Sequence, residues 1–498
     1  MDTFQFLVSG LALALQPEYL IFAIIGCVIG TLVGVLPGVG PVAGTAILIP
    51  VTFSMDPAAA IIMLSAIYYG TMYGGTITSV LVNVPGEAAS AITCLDGYAM
   101  AKKGRAGPAL AVAALGSFTG GTIATLCLVM LALPLTKFAL GFGPPEFFAL
   151  LMIGLSLVAA LAGRSLILGL MSATFGLMIS FVGIDPVVGA PRFTFGVTSL
   201  LAGISIVPVA MGLFGVSEIL SSLLQSKGPT KAAPVGSLMP SRDDMKRSWA
   251  PVLRGSFVGT LLGMIPGMNA FVPTAMSYVL EKKVSKTPDK FGTGMIEGVA
   301  GPETANNAYA NAALIPLFTL GVPGSPTIAV LMGAFMMNGL TPGPLLFIEH
   351  ADIAWTIIAS LFVGNIILVL LNVPLIPIWV SLLKIPQRIL HVSILLLCIM
   401  GVYTVNNSAF DILVMIFFGV LGLIMKKLQI PAAPMILTVV LGPLLEQALR
   451  QSLEISQGNA AIFITRPLSA GLLIVAVGIF AASLMGAVPK RRGTDSEV

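Results

Sequence analysis

The chain has 498 residues, of which 57% are hydrophobic and 9% charged, with a mean hydropathy of +1.01. Globular domains carry about 25% charged residues, so most of this chain belongs in lipid. The net charge of +4 is carried by residues in short loops, which provides no extended basic surface for nucleic acid. Cys27, Cys94, Cys127 and Cys398 stand singly in apolar runs, without the spacing of a disulfide framework or a metal cluster. HExxH, GxSxG and Walker A signatures are absent and His350 and His391 are lone residues, so no catalytic set is legible and the chain reads as a non-enzyme.

In chain order, Thr3 to Gln16 is a short apolar stretch between Asp2 and Glu18 with no basic n-region. It reads as a retained interfacial helix rather than a cleaved signal. Apolar runs long enough to cross a bilayer, about 20 residues each, lie near 19–36, 57–83, 108–131, 146–163, 165–183, 201–224, 294–322, 352–372, 389–404, 408–425, 430–449 and 468–488. Broken or re-entrant elements near 37–54 and 251–280 bring the expectation to an all-α polytopic protein of about 11–14 membrane segments.

The broken elements resemble each other. Gly30 to Ala46 reads GTLVGVLPGVGPVAGTA and Gly259 to Ala275 reads GTLLGMIPGMNAFVPTA, identical at 8 of 17 positions with a constant offset of 229 from Thr31 to Thr260. A second pair, Val84-Pro85-Gly86 and Val322-Pro323-Gly324, repeats at an offset of 238. Each ends a long segment with polar residues inside it: Tyr68, Tyr69, Tyr73, Thr76 and Asn83 in the first, Glu303, Asn306, Asn307, Tyr309 and Asn311 in the second. Glu303, Asn307 and Asn311 recur every four residues, which places them on one helix face. Matched interruptions in two halves of a membrane protein point to a transport site.

The chemistry of such a break is particular. A helix that stops in mid-membrane offers free N–H groups and a positive dipole end to an anion, and free carbonyls to a cation. Pro37, Pro85, Pro266, Gly267 and Pro323 are the expected structural breaks, with glycine admitting a ligand to the backbone. Gly38, Gly40, Asn83, Gly86, Asn269, Asn307, Asn311, Gly324 and Ser325 are the expected solute-binding positions. These motifs contain no Lys or Arg, so an anion there is held by backbone and neutral groups, with a co-bound cation as an added option.

The basic loops set orientation. Lys102, Lys103 and Arg105; Arg164; Lys227, Lys231, Arg242, Lys246 and Arg247; Lys282, Lys283 and Lys286; Lys384 and Arg388; Lys426 and Lys427; and Lys490, Arg491 and Arg492 belong on the cytoplasmic side. The first broken element then opens outside and the second inside, an inverted-topology repeat. This divides the chain into a first membrane repeat (1–224), a cytoplasmic linker (225–249), a second repeat (250–466), and a C-terminal helix with a cytoplasmic tail (467–498).

The segments GTLVGVLPGVGPVAGTAILIP, YYGTMYGGTITSVLVNVPGEAASAITCLDGYAMAKKGRAGPAL and EGVAGPETANNAYANAALIPLFTLGVPGSPTIAVLMGAFMMNGLTPGP resemble the large membrane subunit of the tripartite tricarboxylate transporters (TctA family) over nearly the whole chain. The resemblance implies a multi-pass permease of the bacterial inner membrane that works with a small four-helix membrane subunit and a periplasmic solute-binding protein. It implies uptake of citrate or another carboxylate driven by a Na⁺ or H⁺ gradient, with no other cofactor. A passive carboxylate or small-solute channel is the alternative that the residues leave open.

Overall fold

The computed structural model describes residues 3–36, 39–160, 165–185, 188–224, 232–383, 385 and 387–484. The break residues Pro37 and Gly38, and the basic markers Arg164, Lys227, Lys231, Lys384, Lys490, Arg491 and Arg492, lie outside these. Within them the chain is helical nearly throughout, and the only sheet pairs Gly183–Ile184 with Pro191–Arg192. Nine of the described helices, from Pro17–Val35 to Pro467–Leu484, are long and apolar enough to cross a membrane. Helices are what hydrocarbon permits, because each backbone group is satisfied within its own segment. The chain is a multi-pass, all-α membrane protein.

The elements depart from expectation where proline or a cap intervenes. The run expected at 294–322 divides into Glu297–Ala312 and Leu314–Leu320. Pro316 has no N–H to return to the Ala312 carbonyl, so the helix cannot run through unchanged. Helix Arg242–Gly263 begins inside the expected linker, because Ser241 and Asp244 form a reciprocal capping box at its start. Thr3–Ala14 is a helix, and its Gly10 lies directly on the backbone of Trp355. Its Leu7, Leu11 and Ala14 pack with Ala359 and Val363.

Two compact units form, each discontinuous in sequence: Met1–Ala139 with Ser205–Ile424, and Leu140–Ile204 with Met425–Val498. In the smaller unit, Gly176 of Leu166–Ser180 approaches Met435 and Thr438 of Ala432–Ile455, and Arg466 pairs with Glu146 at 2.6 Å. Arg192 and Arg450 hold Glu446 and Asp185 in a four-residue ionic network at 2.6 to 3.2 Å.

The larger unit contains both broken elements. Helix Pro17–Val35 packs on Pro57–Val82, here termed the first spine; Arg242–Gly263 packs on Glu297–Ala312, the second spine. Gly26, Gly30 and Gly34 lie on Met63, Ile67 and Thr71, while Gly255, Gly259 and Gly263 lie on Gly301, Ala305 and Tyr309. The glycines are related by the offset of 229 and their partners by the offset of 238. Both offsets of the sequence repeat thus reappear as one set of contacts. The approach is close: a Cβ on Gly26, Gly30 or Gly263 would come within 2.5, 2.6 or 2.8 Å of a spine carbonyl oxygen. Without a hydrophobic force between helices in lipid, such small-residue seams supply the packing.

Candidate functional site

Both spines lead to the same kind of stop. The first ends at Asn83 with φ 57°, followed by Val84-Pro85-Gly86. The second is continued by Leu314–Leu320, which ends at Gly321 with φ 68°, followed by Val322-Pro323-Gly324. Asn83 and Gly321 stand at the offset of 238, so a left-handed residue terminates each repeat at the matched position. Gly86 packs on the Gly34 carbonyl and lies tightly against Gly75, and Gly324 lies against Ala313, the repeat mate of Gly75.

Arg242–Gly263 and Phe271–Val284 form the second hairpin, and its tip meets its own stop. In the second repeat Gly267, with φ 79°, donates its N–H to the Gly324 carbonyl at 2.9 Å, and Tyr309 Oη donates to the Met268 carbonyl. In the first, Gly34 at the end of its helix holds Gly86, and Gly40, with φ 65°, opens helix Gly40–Leu48.

Polar side chains then join one repeat to the other. Asn306 Nδ2 of the second spine donates to Glu87 Oε1 at 2.7 Å, directly after the first stop. Glu303 accepts hydrogen bonds from Thr76 at 2.5 Å and from Thr93. Along the second spine, Asn307 donates to Ser117 Oγ at 2.7 Å and Asn311 accepts from Thr125 at 3.4 Å. Tyr73 donates to Asn365 Oδ1 at 2.8 Å, and Asn365 in turn donates to the Phe118 carbonyl. Glu87, Glu303, Asn306, Asn307 and Asn311 are all buried, and among the described residues no basic side chain pairs with either carboxylate.

Of the residues expected to bind solute, Gly86, Gly324 and Ser325 gather at the stops, and Ser325 caps helix Pro326–Met337 through the Ile328 N–H at 3.3 Å. Asn307 and Asn311 lie on one buried face with Glu303, as their spacing predicts. Asn83 and Asn269 are exposed, and Asn83 carries the left-handed backbone of the first stop. Asn269 Oδ1 accepts from the Phe271 N–H at 3.0 Å at the start of Phe271–Val284. Pro85 is exposed, Pro266 half-buried and Pro323 buried; Pro37 and Gly38 lie outside the described residues. Sequence reasoning missed Glu87, Tyr68 and Asn306 as site residues. The signal lies in the repeat, since Glu87 stands at the offset of 238 from Ser325, one of the expected solute-binding positions.

A separate cavity of about 440 Å³ opens at the base of the second hairpin, lined by Arg247, Arg254, Glu281, Lys286, Lys290 and Glu297. Arg254 and Glu281 tie the two hairpin arms together, and Arg247 holds Glu297 in a two-bond pair at 2.8 Å.

Comparison with known proteins settles what kind of molecule carries this arrangement. The model of the Tripartite tricarboxylate transporter TctA family matches residues 20–437. The chain belongs to that family. It is 45% identical over 493 residues to an uncharacterised 52.8 kDa protein of the TAR-I ttuC' 3' region of Agrobacterium vitis, covering 99% of this chain and 98% of that one. A protein of the TAR-II ttuC' 3' region of the same organism is 44% identical over 234 residues, 47% of this chain and 97% of that one. No solved structure matches. Membership makes the chain a component of a tripartite tricarboxylate transporter, and the family is one of transporter components rather than enzymes.

Proposed function

We propose that the chain is the permease subunit of a binding-protein-dependent secondary transporter that imports tricarboxylates or related carboxylates across the bacterial inner membrane. A Na⁺ or H⁺ gradient drives it, and a small four-helix membrane subunit and a periplasmic solute-binding protein work with it. The observation that carries this reading is a pair of matched helix stops, the first of them joined to the second spine by the Glu87–Asn306 hydrogen bond, with no basic side chain paired to Glu87 or Glu303 among the described residues. At such stops, solute carboxylates find the N-terminal ends of Gly40–Leu48, Phe271–Val284 and Pro326–Met337, with neutral donors beside them. Inverted insertion of the two repeats is part of the same proposal, since it lets both stops reach mid-membrane from opposite faces.

The test is gradient-driven uptake into vesicles that contain both partner subunits, normalised to protein in the membrane. The solute is first identified by ligand analysis of the binding protein. Gly267→Val removes the freedom that φ 79° requires and so strains the turn that donates to the Gly324 carbonyl, and uptake falls while abundance persists. Wild-type uptake by that variant would place the site elsewhere. Flux that survives without gradient or binding protein would identify a channel instead.

A further inference from the structure

Four polar residues at the stops are related in pairs by the repeat: Tyr68 with Asn306, and Glu87 with Ser325, each at the offset of 238. The contacts are mirrored accordingly. Asn306 Nδ2 holds Glu87 Oε1, while the Tyr68 hydroxyl faces Ser325 and Glu87. Tyr309 also faces both Ser325 and Glu87. Asn306 Oδ1 has no hydrogen-bond partner, and Tyr68 Oη approaches Ser325 without making a hydrogen bond of good geometry, although each residue is only 1% exposed. The two residues are themselves repeat mates. The mates differ in residue type, and one pair also differs in charge, because the mate of Glu87 is a neutral serine.

A buried carboxylate without a basic partner is costly in low dielectric, and buried acceptors without donors add to the cost. One bound cation relieves both. The ligands on offer are hard oxygens, from carboxylate, amide, phenol and hydroxyl, with no sulfur or imidazole. Glu303, the other buried carboxylate nearby, already accepts hydrogen bonds from the Thr76 and Thr93 hydroxyls, which leaves Glu87 as the one carboxylate of the site, a match for a single positive charge. We propose that Glu87, Asn306, Tyr68 and Ser325 form a binding site for one Na⁺ ion. This deepens the proposed function and rests on its reading of the stops as the transport site. The bound ion supplies the positive charge that no Lys or Arg brings to the solute carboxylate, which makes solute binding depend on the cation.

The experiment uses the purified full-length protein without solute and follows its melting temperature as NaCl replaces choline chloride at fixed pH and ionic strength. Na⁺ is expected to raise the melting temperature saturably, as any ligand of the native state does. Glu87→Gln abolishes the rise. Tyr68→Phe, which removes only the hydroxyl, weakens apparent Na⁺ affinity about tenfold and shifts the Na⁺ dependence of uptake by the same factor. Tyr68→Phe keeps the test decisive where Glu87→Gln fails to fold. Identical melting in sodium and choline, an undiminished Na⁺ rise in Tyr68→Phe, or a stabilisation that follows pH alone would each overturn the site. A Na⁺-dependent rise that needs about tenfold more Na⁺ in Tyr68→Phe, in a protein that moves no carboxylate in vesicles, would uphold the cation site and overturn the proposed function.

Discussion

At Asn83 the chain adopts left-handed backbone with an asparagine, where the second repeat uses Gly321. Asparagine visits that region through its short polar side chain, and glycine does so without a Cβ penalty. Asn83→Gly is therefore expected to leave the melting temperature of the detergent-purified protein nearly unchanged. Asn83→Val costs about 1–2 kcal/mol. Equal melting of the two variants would mean that the stop is set by its neighbours. At Asn311, replacement by leucine removes its hydrogen bond to the Asn307 carbonyl and the acceptor for Thr125. Vesicle uptake is expected to fall several-fold at unchanged abundance, because leucine is tolerated in the interior but cannot donate to a ligand. The glycine and proline punctuation was legible in the sequence because its cause is local. Glu87 is reached only through the repeat, as the mate of Ser325, because its partner Asn306 lies 219 residues away and nothing local announces the pair.

Among the elements, the two glycine seams carry the repeat. Gly30→Leu and Gly259→Leu each drive a side chain into a spine backbone, Ile67 in one case and Ala305 in the other. Overpacking of this kind costs about 1–3 kcal/mol or more, and the two variants should lose comparable stability because they stand at matched positions. A large loss in one and none in the other would mean that the seams are not equivalent. The start of Arg242–Gly263 gives a pH test. Burial pulls the Asp244 carboxyl upward, but hydrogen bonds from Ser241 and Arg105 outweigh it and hold the group below its ordinary value. Its stabilisation is present above the unfolded value near pH 3.9 and disappears as pH falls through the folded value. Asp244→Asn should therefore lower the melting temperature at pH 7, and the gap to wild type should close below about pH 4. A gap that persists in acid would assign the effect to packing. The helix periods and spans followed from hydropathy, while the interruption at Ala313 followed from Pro316, whose position in an apolar run did not reveal it.

For the whole molecule, the positive-inside distribution makes a prediction about sidedness. A reporter fused after Lys231 or after Arg492 is expected in the cytoplasm, and one between Pro342 and Asp352 outside. Finding the Pro342 to Asp352 loop inside would overturn the inverted arrangement of the repeats. The internal repeat could be read from the chain because its offsets are constant. The division into two discontinuous units could not, since Leu140–Ile204 joins Met425–Val498 through packing between segments far apart in sequence.

The order of the chain also bears on how the protein is made. Each hairpin helix precedes its own spine closely, Pro17–Val35 before Pro57–Val82 and Arg242–Gly263 before Glu297–Ala312, so each glycine seam closes between neighbours as they leave the ribosome. Glu87, by contrast, emerges more than two hundred residues before Asn306. The nascent first half must therefore shelter an unmatched acid at the membrane until the second half arrives. The first half thus gains the stabilisation of that hydrogen bond only once the second half has been inserted.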